Sequence, residues 1–158
     1  MIDDTELKKA RFYALKVTNL RPRSVEEISN KLKEKGFPED IIAQVISEFA
    51  KQGLLNDTKF SKLWVDSRMA FNPKGEKILR RELKKKGISD NDIEDALLES
   101  KKEYNEYEVV KKLADARMPS LKGLDKTTAK RRLLGYLQRR GFNFDTIMEV
   151  MRELFNKI

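Results

Sequence analysis

The 158-residue chain has no cysteine and no histidine. Without cysteine there is neither a disulfide nor a thiolate nucleophile. Without either residue, the usual zinc sites and the commonest general base near neutral pH are gone too. Apolar runs are short, and none approaches the length needed to cross a bilayer. The opening residues, Met1-Ile2-Asp3-Asp4-Thr5-Glu6, are acidic and lack the apolar segment of a secretory signal, so a cytoplasmic protein is expected. No Gly-x-x-x-x-Gly-Lys-Ser/Thr loop and no dinucleotide fingerprint occurs. Serine, threonine and lysine nucleophiles remain, but no recognisable elbow surrounds any of them. The expectation is a protein that is not an enzyme, with no catalytic residue, no metal and no cofactor.

What the chain has is charge. Charged residues make up 38% and hydrophobic residues 39%, a balance that suits small helical units with wide polar faces. The net charge of +8 favours polyanions or acidic protein surfaces as partners. Residues 1–56 carry 10 basic and 9 acidic groups, residues 57–105 carry 12 and 10, and residues 106–158 carry 12 and 7. The C-terminal third is therefore where a negative partner is expected.

One pattern occurs three times. Leu32, Gly36, Phe37 and Ile42 share their spacing with Leu83, Gly87, Ile88 and Ile93, and with Leu137, Gly141, Phe142 and Ile147. Eight residues before each glycine stand Ile28, Leu79 and Leu133; nine after it stand Val45, Ala96 and Val150. The frame reads as a helix end, a left-handed glycine and the first buried turn of a new helix. Self-similarity at this period signals a repeat protein. The expected domains are residues 1–55, 56–105 and 106–158, each a three-helix repeat. A unit of this size buries little alone, so the expected all-α fold is three tandem repeats stacked into an elongated, curved rod.

The chain order agrees. Thr5 to Thr18 reads as a helix with Leu7, Ala10, Phe12, Ala14, Leu15 and Val17 available for burial. Ser24 with Glu27 makes a capping box for a second helix. Pro38 is expected in the first turn of the third, whose apolar stripe is Ile42, Val45, Ile46 and Phe49. Asn56-Asp57 can cap a fourth helix through Phe60, Leu63, Trp64 and Met69. Glu76 to Lys86 reads as a middle helix, followed by a Ser89–Asp92 cap. In the third unit, Val109, Val110, Leu113 and Ala114 mark the first helix. A longer connection, Met118 to Leu124, precedes a middle helix capped by Thr127 or Thr128. Phe144, Ile147, Val150, Met151 and Leu154 line the last. Nine helices and no strand are expected.

The candidate functional residues are basic. At about 100° per residue, Lys77, Arg80, Arg81, Lys84 and Lys85 fall within roughly 140° of arc, away from Leu79 and Leu83. Arg131, Arg132 and Arg139 share a face opposite Leu133 and Leu137, and Arg140 adds charge at its end. Such stripes either solubilise a surface or grip phosphates and carboxylates. The acidic run Asp90, Asp92, Glu94, Asp95 and Glu99 suits a solvated helix start better than a metal site. A helix-turn-helix reading fails because the third helices are acidic: Glu39, Asp40 and Glu48 in the first, Asp145, Glu149 and Glu153 in the last. Trp64 and Tyr136 read as core rather than as stacking platforms.

A family resemblance follows from these residues. Arg21-Pro22-Arg23-Ser24 with Glu27, Leu32 to Phe37, and Gly53-Leu54-Leu55-Asn56-Asp57 with Phe60 and Trp64-Val65-Asp66-Ser67-Arg68 resemble the RecX regulators of the bacterial RecA recombinase. Lys74-Gly75, Leu79, Glu82-Leu83 and Lys86-Gly87-Ile88 extend the match. The resemblance implies a non-enzymatic monomer that binds the RecA–DNA filament, lodges in its groove and dampens ATP hydrolysis, strand exchange and the SOS response. It supplies no catalytic residue. The alternative is a stand-alone basic DNA-binding protein.

Overall fold

A computed structural model describes residues 2–156. Among them are nine α-helices and no strand: α1 (Asp4–Leu20), α2 (Val25–Glu34), α3 (Glu39–Lys51), α4 (Asp57–Phe71), α5 (Glu76–Lys85), α6 (Asp90–Glu103), α7 (Glu106–Arg117), α8 (Lys126–Arg139) and α9 (Phe144–Phe155). A short 3-10 turn, Met118–Leu121, sits in the long connection before α8.

Local chemistry sets most boundaries. Ser24 Oγ accepts from the Glu27 N–H at 3.1 Å while Glu27 accepts from the Ser24 N–H at 3.1 Å, a complete capping box. Asn56 and Ser89 cap α4 and α6 by accepting from Lys59 and Asp92. Two details differ from expectation. Asp125, not Thr127 or Thr128, caps α8, accepting from the Thr128 N–H at 3.1 Å. Its carboxylate lies three residues ahead of that N–H, so both threonines fall inside the first turn. Pro38 sits at the N-cap of α3 in extended conformation rather than within the first turn.

The repeated frame is real in three dimensions. Leu32, Leu83 and Leu137 are fully buried, as are Ile93 and Ile147. Gly36, Gly87 and Gly141 have φ of 88°, 78° and 83°, a region that costs any L-residue about 1–2 kcal/mol. The Ile88 N–H reaches back to the Leu83 carbonyl at 3.1 Å, the long bond of a glycine-terminated helix.

By compactness the chain forms two units, one of residues up to Leu63 with Leu83–Asp95, the other of Trp64–Glu82 with Ala96 onward. In the first, Leu7, Ala10, Ala14 and Val17 of α1 pack with Ile28 and Leu32 of α2 and with Ile41, Ile42, Val45 and Phe49 of α3. Phe12 and Leu15, expected to be available for burial, are 73% and 42% exposed, because the close packing of α1 uses only the face of its small residues. In the second unit the core joins Val110 and Ala114 of α7, Leu133 and Leu137 of α8, and Ile147, Val150, Met151 and Phe155 of α9. Leu121 of the 3-10 turn is buried against them. Phe144, expected in this core, is 55% exposed: it opens α9 one turn ahead of the buried Ile147.

Each unit contains a seam where the N-terminus of a middle helix seats on the turn of the following repeat. In the first unit Ser24 Oγ donates to the Lys86 carbonyl at 2.7 Å, and the Val25 N–H donates to Asp57 at 2.9 Å. In the second the Gly75 N–H donates to the Arg140 carbonyl at 2.7 Å. There, a Cβ on Gly75 would overlap the backbone of Gly141 and Phe142. Glycine is needed for that close approach.

Candidate interaction surface

The basic residues singled out in the sequence have separate fates. On the second unit's part of α5, Lys77 and Arg81 are exposed and make no ion pair with a described residue. Arg80 is half-buried and pairs with Glu76 at 2.8 Å. On the first unit's part, Lys84 pairs with Asp90 at 3.2 Å, both well exposed, and Lys85 is exposed and makes no ion pair with a described residue. Exposed pairs of this kind stabilise little, so Lys84 keeps its charge largely available.

On α8, Arg131, Arg132 and Arg139 are exposed, without an ion pair to a described residue. Gly135 leaves room for the Arg139 guanidinium, which a Cβ there would approach to 2.9 Å. Arg140 differs. Its guanidinium donates to Asn72 Oδ1 and to the Pro73 carbonyl, both at 2.9 Å, and lies 4.9 Å from the Tyr136 ring. It ties the second seam together, and the sequence reading missed this. The signal was the Asn72-Pro73 break, whose carbonyl and amide need donors, but its partner stands 68 residues away.

The aromatics are committed within the second unit. Trp64 Nε1 donates to Glu82 at 3.3 Å, and Arg68 forks onto the same carboxylate at 3.1 and 2.6 Å. Tyr136 has Arg117 at 4.7 Å as well as Arg140, a cation–π arrangement. The acidic run on α6 does not converge: no group of three or more described carboxylates could hold a metal ion.

Acidic groups in the first unit are tuned by their neighbours. Burial pushes Glu27 up, but the Arg21 side chain, the Ser24 N–H and the Lys86 charge outweigh it and hold Glu27 below the usual carboxylate range. Burial raises Asp57, helped by the charges of Asp92, Glu26 and Glu27 and opposed by the Val25 N–H. The hydrogen bonds from Arg11 and then Gln44 bring Glu48 down to about 2.

Tandem three-helix units with short polar turns and exposed cations on the middle helices define the class: an all-α helical-repeat protein. The family models for the first, second and third three-helix domains of RecX match residues 10–49, 56–97 and 103–151. The chain is 34% identical over 150 residues to the regulatory protein RecX of Amycolatopsis mediterranei, covering 92% of this chain and 85% of that one. It is 32% identical over 152 residues to that of Chlorobium limicola, covering 96% and 93%. The crystal structure of RecX from Lactobacillus salivarius superposes with a TM-score of 0.83 at 27% identity, over 98% of this chain and 99% of that one. The chain belongs to the RecX family.

Proposed function

We propose that this chain regulates the bacterial RecA recombinase, mainly as an inhibitor. In this reading it binds the RecA–DNA filament in its groove and slows ATP hydrolysis, strand exchange and the SOS response. It acts as a cytoplasmic monomer through contacts alone, with no reactive centre. The observation that carries the reading is the match to all three RecX domains, together with relatives named regulatory proteins. Arg81, Arg131, Arg132 and Arg139, which make no ion pair with a described residue, support it, because solvent-facing guanidinium groups grip phosphates or carboxylates.

The test is inhibition of RecA ATPase on single-stranded DNA by the wild type and by Arg131→Glu/Arg132→Glu/Arg139→Glu. The variant is expected to need about tenfold more protein for equal inhibition, the equivalent of about 1.4 kcal/mol. Unchanged inhibition removes the α8 face from the reading.

The net charge of +8 favours a second reading, a protein that binds bare DNA by itself. It predicts binding that weakens with salt at a log–log slope of about −0.9 for each phosphate neutralised on duplex. Co-sedimentation with recombinase filaments, with DNA alone as control, separates the two. Equal recovery on DNA alone favours the second.

A further inference from the structure

The second unit contains an open groove of about 890 Å³ that the regulatory reading does not use. Met69, Leu79, Leu97 and Phe142 give it an apolar lining. Lys74, Lys77, Arg80 and Lys101 give it a cationic one. Glu76 pairs with Arg80 at 2.8 Å and Lys101 at 3.4 Å, which leaves Lys74 and Lys77 without an ion pair among the described residues. Glu106 is the other acid in the lining.

The first unit shows which groups stand at the corresponding place. Counting 51 residues back along the repeat, Glu76 and Lys77 correspond to Val25 and Glu26. There the Val25 N–H carries the carboxylate of Asp57 at 2.9 Å, and the Glu26 side chain lies against Gly87. In the second unit the acid at 26 is replaced by Lys77, and no described residue accepts from the Glu76 N–H. Where Glu26 stands beside the turn in one repeat, Lys77 lines an open groove in the next.

We propose that this groove binds an acidic peptide segment of a partner protein. Its carboxylates meet Lys74 and Lys77, and an apolar side chain packs on Leu79 and Phe142. A sugar–phosphate backbone fits less well, because it has no aliphatic side chain for that lining. The site stands apart from the recombinase reading, and its test contains neither recombinase nor filament.

The test is fluorescence anisotropy of the full-length protein with a short labelled peptide of aspartate and leucine. A neutral twin of asparagine and leucine and a single-stranded oligonucleotide are the comparators. The acidic peptide is expected to bind, and Lys74→Glu/Lys77→Glu to weaken it by about tenfold or more, since two charge-assisted contacts are lost. Glu106→Gln, which removes a competing charge, is expected to tighten binding by a few-fold. Both sites are solvent-facing or half-buried, and circular dichroism checks that the variants fold. Equal affinity for the neutral twin, no response to either variant, or displacement of the peptide by the oligonucleotide from this groove would each overturn the proposal.

Discussion

In the first unit the N-terminus of α2 meets the Lys86-Gly87 turn through a serine hydroxyl; in the second, α5 meets the Arg140-Gly141 turn through the backbone of a glycine. Both put one hydrogen bond of 2.7 Å on the carbonyl just before the turn glycine. The means differ, and so does the tolerance for change. A serine that reaches with its side chain keeps the two backbones apart. A glycine that reaches with its N–H brings them within a distance that excludes a Cβ, and the second seam then adds the Arg140 fork to Asn72 and Pro73. Charge diverges as well, since the first turn of α2 is Glu26-Glu27 where α5 has Lys77-Ile78. Repeats thus conserve a docking position while exchanging the group that fills it.

The sharpest way to break this comparison is to exchange the two residues. Gly75→Ser installs the first seam's residue in the second. Its Cβ would overlap backbone atoms of Gly141 and Phe142, which have no side-chain freedom with which to yield. Overpacking of this kind costs about 3 kcal/mol, and denaturant unfolding is expected to show at least that loss. A loss under about 1 kcal/mol would mean that the turn simply shifts and that the seams are interchangeable.

The reverse change, Ser24→Gly, is expected to be milder. Glycine is itself an acceptable N-cap, so loss of the cap contributes only a few tenths of a kcal/mol. The missing Oγ leaves the Lys86 carbonyl without its donor, and the total is expected near 1–2 kcal/mol by the same measurement. If Ser24→Gly proved as damaging as Gly75→Ser, side-chain reach would not be the distinction between the seams.

How much of this was legible beforehand follows the range of each interaction. The Leu–Gly–apolar–Ile frame and the Ser24–Glu27 box depend on residues within one or two turns, so they could be read directly. The cap of α8 is not legible in the sequence, because Asp125, Thr127 and Thr128 are all competent cappers and only the backbone path chooses among them. Phe12 and Leu15 could not be placed, because apolar residues run round most of α1 while only the face of Leu7, Ala10, Ala14 and Val17 is covered. The Lys77 face was legible as charge on a helix. Its place in a groove was not, since Lys101, Glu106 and Phe142 come from elements far along the chain. Arg140 looked like one more surface cation for the same reason, its partners being set by tertiary packing.

The smallest expected effect separates the first unit from the second by acid. Arg11 holds Glu48 with two hydrogen bonds of 2.7 Å, and Gln44 adds a third at 3.0 Å. These bring its pKa from 4.5 to about 2. A carboxylate held lower in the folded state than in the unfolded one stabilises the fold fully above its unfolded value. That stabilisation fades as pH falls through the folded value. The window here therefore runs from about 4.5 down to about 2. With the Arg11 and Glu48 side chains 41% and 23% exposed, solvent screens the pair and the effect stays modest. Thermal melts of wild type and Glu48→Gln, taken in steps from about pH 6 to about pH 2, are expected to differ slightly at the upper end and to converge at the lower. A gap that widened on acidification would show that the Arg11–Glu48 fork is not what lowers this carboxylate, and the acid sensitivity of the first unit would then belong to Glu27 at its seam, which is also held low.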